Sequence, residues 1–112
     1  DEEKPFFMQI IMPMEKKKWQ KMLDIAKKWT QADEDSADAW YYLGYAQEKL
    51  GNLDFAKLFL NQAYKLNNRH LESLVELYDI SVIQIDPKES KRILGLIEEI
   101  NPERADYISK NS

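Results

Sequence analysis

The side chains best suited to catalysis are few in this chain. His70 is the only histidine, and it stands where a helix is predicted to start, two residues before Glu72. Nucleophilic or acid–base catalysis would require a nucleophile or a second base near this imidazole, and the sequence offers none at a recognisable spacing. We therefore interpret His70 as an exposed residue at a helix start. We expect no catalytic residue and no enzymatic activity.

Metal and cofactor chemistry is not indicated either. The carboxylates of Asp33, Glu34 and Asp35 lack the alternating oxygen ligands and the glycine of a calcium-binding loop. The three glycines stand apart, so the sequence contains no glycine-rich phosphate loop. The absence of cysteine removes disulfides and thiolate ligands. We expect no metal and no cofactor.

The composition indicates one soluble, acidic domain. Its 112 residues suit a single domain, and the formal net charge of −4 argues mildly against nucleic acid or an anionic membrane as the main partner. The longest apolar run, FFMQIIMPM, is too short to span a bilayer, so we predict no membrane insertion. Cytoplasm and periplasm both stay open as the compartment. Because the chain begins at Asp1, an upstream segment is a further alternative.

Helix start signals divide the chain clearly. Ser36, Asn52, Asp86 and Asn101 each stand just before a segment with helical apolar periodicity, where an N-cap is expected. No segment shows the sustained alternation of a β-strand. The sequence therefore predicts an all-α fold of antiparallel helix hairpins. The predicted helices cover about 14–32, 37–50, 53–67, 70–85, 87–100 and a short helix from 102.

The apolar pattern of the middle of the chain recurs 34 residues later. The central unit has large or small apolar side chains at positions that match those of the next unit in type and in place. Trp40, Leu43, Phe59 and Leu60 correspond in this way to Leu74, Leu77, Ile93 and Leu94. Helix, loop and cap boundaries match at the same spacing, which indicates an internal repeat.

Residues 37–70 resemble a tetratricopeptide repeat (TPR). The matching residues are Trp40, Leu43 and Gly44 in the first helix, Gly51 before the turn, and Ala56, Leu60 and Ala63 in the second helix. The resemblance is weaker in 71–104, which keeps Pro102, and in 15–36, where only the second helix of a repeat is evident. It implies a right-handed α-solenoid of about two and a half repeats with a short C-terminal helix. Residues 1–14 would then form an apolar cap segment and 105–112 a capping tail.

The resemblance also explains a glycine inside a predicted helix. In this family, two antiparallel helices approach closely at the position of Gly44, where a side chain would push them apart. Trp40 would fill the space between successive hairpins, which makes it a core residue.

In the same family, the first helices of the hairpins line a concave groove. The corresponding positions here are Asp38, Tyr41, Tyr45, Glu48, Lys49, Glu72, Val75 and Asp79, followed by Val82 and Ile83 unless a final helix from Pro102 covers them. The lysine–asparagine clamp that grips a terminal carboxylate in some TPR proteins is missing. The groove is instead aromatic, apolar and acidic. We expect it to bind an extended or helical segment with apolar anchors and some positive charge, although Tyr41 and Tyr45 could alternatively pack under a neighbouring helix.

The N-terminal apolar segment is a second candidate surface. Its residues Phe6, Phe7, Ile10 and Ile11 would form an interface if they are exposed. Pro5 and Pro13 are expected to limit any helix here to about two turns. The alternatives are an irregular cap folded over Trp19 and Trp29, or contact with another chain or an upstream domain. The lysines that follow, from Lys16 to Lys28, are interpreted as a solvated face rather than as a binding patch.

These features favour a non-catalytic scaffold that binds a protein or peptide segment in its groove. The alternative is an assembly module that self-associates through the N-terminal segment, forming a homo-oligomer. A third reading is an accessory TPR domain of a larger bacterial protein.

Overall fold

All the regular structure of residues 4–111, the part of the chain that the computed structural model describes, is α-helical. The helices are α1 (Phe6–Glu15), α2 (Trp19–Ala32), α3 (Ala37–Lys49), α4 (Leu53–Leu66), α5 (Leu71–Ile83), α6 (Pro87–Ile100) and α7 (Pro102–Lys110). Each helix packs against the next in sequence, and α3 also contacts α5. The predicted all-α fold is confirmed. Within the described residues, no helix combines the length and apolarity needed to cross a membrane.

Helix boundaries repeat along the chain. The helices α2, α4 and α6 each have 14 residues and begin at Trp19, Leu53 and Pro87, so successive starts are 34 residues apart. The helices α3 and α5 each have 13 residues and begin at Ala37 and Leu71, at the same spacing. The regular boundaries are consistent with a helical-repeat fold.

The turns inside the hairpins repeat as well. Lys17, Gly51 and Ile85 have φ angles of 57°, 86° and 52°, and each lies between two paired helices, again 34 residues apart. Glycine adopts this left-handed conformation without a steric penalty, whereas a β-branched residue such as Ile85 does so at a cost. The same turn is therefore formed even where the sequence has lost the glycine that would favour it.

The N-terminal segment differs from the prediction. The single helix expected over 14–32 is wrong at its start, because α1 ends at Glu15 and α2 begins at Trp19. The apolar segment is not an irregular cap, since α1 has ten residues, or about three turns. Pro13 lies in its last turn, where the missing N–H removes little of the helix hydrogen bonding. Residues 1–3 and 112, at the outer ends of the predicted cap and tail, lie outside the described residues.

Three of the four predicted N-caps form through their side chains. The residues that accept a hydrogen bond from a backbone N–H of the first turn are Ser36, Asp86 and Asn101. Asn52 does not cap α4 in this way, and its amide instead donates to the Gln47 side chain at 2.8 Å. The cap positions thus anchor the helix starts largely as the sequence predicts.

Gly44 lies where α3 and α4 come closest, as predicted. A Cβ atom at this position would stand 2.7 Å from Cγ of Leu60 and 3.1 Å from the Leu60 backbone nitrogen. The residue that faces Gly44 is therefore Leu60 and its main chain. Trp40 is half-buried: its ring centroid lies 5.8 Å from that of Phe59, and its Nε1–H donates to the Glu34 carbonyl at 2.8 Å.

Candidate functional site

The helices α3 and α5 lie side by side and bring the predicted groove residues onto one surface, here called the α3–α5 face. Asp38, Lys49, Glu72 and Asp79 are exposed on it. The residues between them are half-buried, and they are Tyr41, Tyr45, Glu48, Val75 and Glu76. Glu76 was not among the predicted groove residues. The face is therefore rich in aromatic rings and carboxylates, with Lys49 as its own cation.

His70 joins the beginnings of the two helices. Its Nε2 lies 2.8 Å from Oδ1 of Asp38 in α3, and its Nδ1 accepts hydrogen bonds from the backbone N–H of Ser73 at 3.3 Å and from the Ser73 hydroxyl at 2.8 Å. Because Nδ1 accepts, the imidazole proton is on Nε2 and is donated to Asp38. His70 is only 9% exposed, so its interpretation as an exposed helix-start residue was wrong. It is the N-cap of α5.

A shallow depression of about 430 Å³ opens beside this pair. It is lined by Asp38, Tyr41, Tyr42, Asn67, Arg69, His70, Leu71 and Glu72. Its rim combines carboxylates with aromatic rings and the Arg69 guanidinium, so it offers both hydrogen-bond acceptors and flat contact surface.

Three carboxylates meet at the other end of the face. Burial raises the pKa of Glu48 to about 8, helped by a hydrogen bond to the Glu76 carboxyl group and by the negative charges of Glu76 and Asp79, while Lys49 opposes the shift. Burial also raises the pKa of Asp79, with a further contribution from Glu76. A hydrogen bond between two carboxyl groups requires a proton on one of them. Near neutral pH, Glu48 therefore carries this proton.

One oxygen of this cluster lacks a partner. The Oε1 atom of Glu48 is buried and makes no hydrogen bond within the described part of the chain. An unpaired buried acceptor is costly, and a donor or a cation that reached it would recover that cost. The cluster is consequently complementary to a positively charged side chain.

Tyr41 lies at the centre of the face. Its ring centroid is 5.0 Å from that of Tyr42, 5.9 Å from that of Tyr45 and 5.3 Å from that of His70. Burial, followed by the charge of Glu76, raises the pKa of the Tyr41 hydroxyl well above its ordinary range. The hydroxyl thus stays protonated and available as a donor over the physiological pH range.

The tyrosines are part of a longer aromatic row. Phe6 stacks on Trp29 with centroids 6.1 Å apart, Trp29 stacks on Tyr42 at 5.8 Å, and Tyr45 meets Trp19 edge-on at 6.0 Å. Tyr41 and Tyr45 are half-buried. Part of each ring therefore packs against neighbouring side chains, and part is open to a ligand.

The predicted N-terminal surface is only partly exposed. Phe7 and Ile11 are exposed together with Met8 and Met12, which the sequence analysis did not single out. Ile10 is fully buried in a core cluster with residues of α2 and α3. Phe6 is half-buried against Trp29, so the available surface is a stripe of four residues.

The last predicted groove residues are also exposed. Val82 and Ile83 lie at the C-terminal end of α5, and α7 does not cover them. The reason is length: α7 has nine residues, whereas the α6 helix against which it packs has fourteen. The signal that could have shown this is the polar sequence after Tyr107, which offers nothing to pack on Val82.

Comparison with known proteins adds no family to this description. No family model matches the chain, and no similar protein is found among curated proteins. Among residues 4–111, no group of three or more histidine, aspartate or glutamate side chains is placed to hold a metal ion.

Proposed function

We propose that this chain is a non-catalytic scaffold that binds an apolar, positively charged protein segment on its α3–α5 face. The observation that carries the proposal is the meeting of Glu48, Glu76 and Asp79 beside Tyr41. The carboxylate cluster would receive a lysine or arginine side chain, and the ring would contact apolar side chains.

We further propose that the fold is a TPR-like, right-handed α-solenoid with hairpins α1/α2, α3/α4 and α5/α6, followed by α7. The equal spacing of the turns at Lys17, Gly51 and Ile85 supports this assignment. In such stacks, each hairpin contacts only its neighbours, so the surface along the first helices stays free to bind. Nucleic acid and membrane insertion stay outside the proposed function.

Charge reversal on the exposed rim tests the binding site. The variant Glu72→Lys with Asp79→Lys removes two negative charges from the face, whereas Glu98→Lys with Glu99→Lys makes the same change of net charge on exposed positions of α6. The probe is a fluorescent amphipathic peptide of leucine and lysine, with a leucine–glutamate peptide as its counterpart, and the measurement is fluorescence anisotropy.

We expect the lysine peptide to bind the parent chain and the α6 variant equally well, and the face variant about tenfold more weakly. The glutamate peptide should not bind. Equal losses in the two variants would show a nonspecific charge effect and would contradict the proposed site. Tyr41→Phe, which keeps the ring and removes the hydroxyl, should reduce the affinity by a smaller factor, about fivefold.

A further inference from the structure

The chain itself carries a segment with the chemistry that the α3–α5 face is proposed to bind. The exposed stripe of α1, formed by Phe7, Met8, Ile11 and Met12, is apolar. The three residues after this helix are Lys16, Lys17 and Lys18, all exposed. Apolar anchors followed directly by positive charge are what a surface of tyrosines and carboxylates selects.

Charge is distributed unevenly over the molecule. Residues 4–32 contain seven lysines and two carboxylates, whereas residues 33–111 contain nine lysines and arginines and fifteen carboxylates. Asp1, Glu2 and Glu3 lie outside the described residues. The net charge of −4 therefore conceals a basic region and an acidic region, each complementary to the other.

The stripe cannot reach the face of its own chain in this fold. Among the described helices, α1 packs only against α2, while the carboxylate cluster lies on α3 and α5. Contact between the two surfaces therefore requires two molecules.

Two copies joined stripe to stripe would bring like charges together. Lys21 and Lys28 border the groove between α1 and α2 that also includes Met8, Met12 and Ile25. With Lys16 to Lys18 at the end of α1, a symmetric contact would place lysines opposite lysines, which is unfavourable. The acidic face of a second copy is the better match.

We infer that the α1 stripe and its lysines dock on the α3–α5 face of a second copy of this chain, forming a head-to-face contact. This inference rests on the proposed function, because it names the partner of the same face. A contact between two different surfaces does not close on itself by necessity, so it produces chains or rings whose size grows with protein concentration.

Complementation between two variants tests this contact. The stripe variant, Phe7→Ser with Ile11→Ser, changes two exposed residues, and the face variant is Glu72→Lys with Asp79→Lys. The molar mass of each protein and of their mixture is measured by light scattering over a wide concentration range, at low and at high salt. Glu98→Lys with Glu99→Lys serves as the control.

We expect the parent chain and the control to associate with rising concentration, and the association to weaken at high salt. Each variant alone should stay monomeric, and their equimolar mixture should stop at the dimer, since it contains one intact stripe and one intact face. A mixture that stays monomeric while the parent associates would overturn the head-to-face contact.

The remaining outcomes separate the two proposals. A parent chain that is monomeric throughout, but binds the leucine–lysine peptide on its face, would overturn the self-association and leave the proposed function standing. Absence of both would overturn both. Binding of the monomeric parent to vesicles of anionic lipid, abolished in the stripe variant, would assign the stripe to a membrane surface and likewise overturn the contact between copies.

Discussion

The Nε2–H of His70 is donated to Oδ1 of Asp38 at 2.8 Å, and this bond ties the start of α5 to the first turn of α3. The other ring nitrogen accepts from Ser73 and so caps α5. One buried imidazole therefore fixes two helix starts relative to each other, at the edge of the surface that we propose as the binding site.

Replacement of His70 separates its two roles. His70→Ala removes both the cap and the contact with Asp38, so we expect the free energy of unfolding to fall by about 2 kcal/mol. His70→Asn keeps a capping side chain but is too short to reach Asp38, and its loss should be about half as large. Urea denaturation measures both values, and equal losses in the two variants would show that the cap contributes nothing.

His70 also shows a limit of prediction from sequence. The helix starts were predictable because a cap and its helix are close in sequence, as at Ser36 and Asp86. The burial of His70 was not predictable, because its partner Asp38 is 32 residues away and the contact exists only after the hairpins have packed. A polar residue at a helix start is otherwise expected at the surface.

The two mid-helix glycines make opposite predictions. Gly44→Ala would place a Cβ atom 2.7 Å from Cγ and 3.1 Å from the backbone nitrogen of Leu60, whereas Gly95→Ala meets no atom within 4 Å. We expect Gly44→Ala to lower the free energy of unfolding by about 1–3 kcal/mol, because helix α4 has to shift. Gly95→Ala should raise it by about 0.5–1 kcal/mol through helix propensity.

Thermal and urea unfolding of the two alanine variants check this pair. A Gly44→Ala variant as stable as Gly95→Ala would mean that α3 and α4 are not in close contact at this point. The sequence predicted this contact correctly from the resemblance of residues 37–70 to a repeat in which a small residue is required.

The left-handed turn at Ile85 predicts a stabilising substitution. Ile85 has a φ of 52° and is 86% exposed, so it incurs backbone strain and buries little apolar surface. Ile85→Gly relieves a strain of about 1–2 kcal/mol, part of which is offset by the greater freedom of glycine in the unfolded chain. We expect a net gain of about 1 kcal/mol in urea denaturation, and Gly51→Ala to lose about as much in the corresponding turn.

A loss of stability in Ile85→Gly would contradict the strained turn and would indicate that the Ile85 side chain makes contacts which its exposure conceals. The sequence alone could not identify this turn, since isoleucine is a poor residue for it. Only the spacing from Gly51 marks the position, and the conformation follows from the lengths of the helices on either side.

The buried carboxyl group of Glu48 predicts how stability changes with pH. Its pKa is raised from an ordinary value of 4.5 to about 8 in the folded chain, chiefly by burial and then by Glu76. The folded state therefore binds this proton more tightly than the unfolded state does. The resulting stabilisation is fully present below pH 4.5 and is lost as the pH rises through about 8.

Glu48→Gln removes the titrating group and keeps its shape. Relative to the parent, we expect the midpoint of thermal unfolding to rise above pH 8, where the parent must ionise a buried carboxyl group, and to change little below pH 4.5. Glu99→Gln, on the exposed side of α6, controls for the loss of one negative charge. A Glu48→Gln variant that gains equally at both ends of this pH range, or no more than Glu99→Gln does, would show that Glu48 ionises in the folded chain without penalty. The cluster with Glu76 and Asp79 would then have no special demand for a cation, because water would already satisfy its charge.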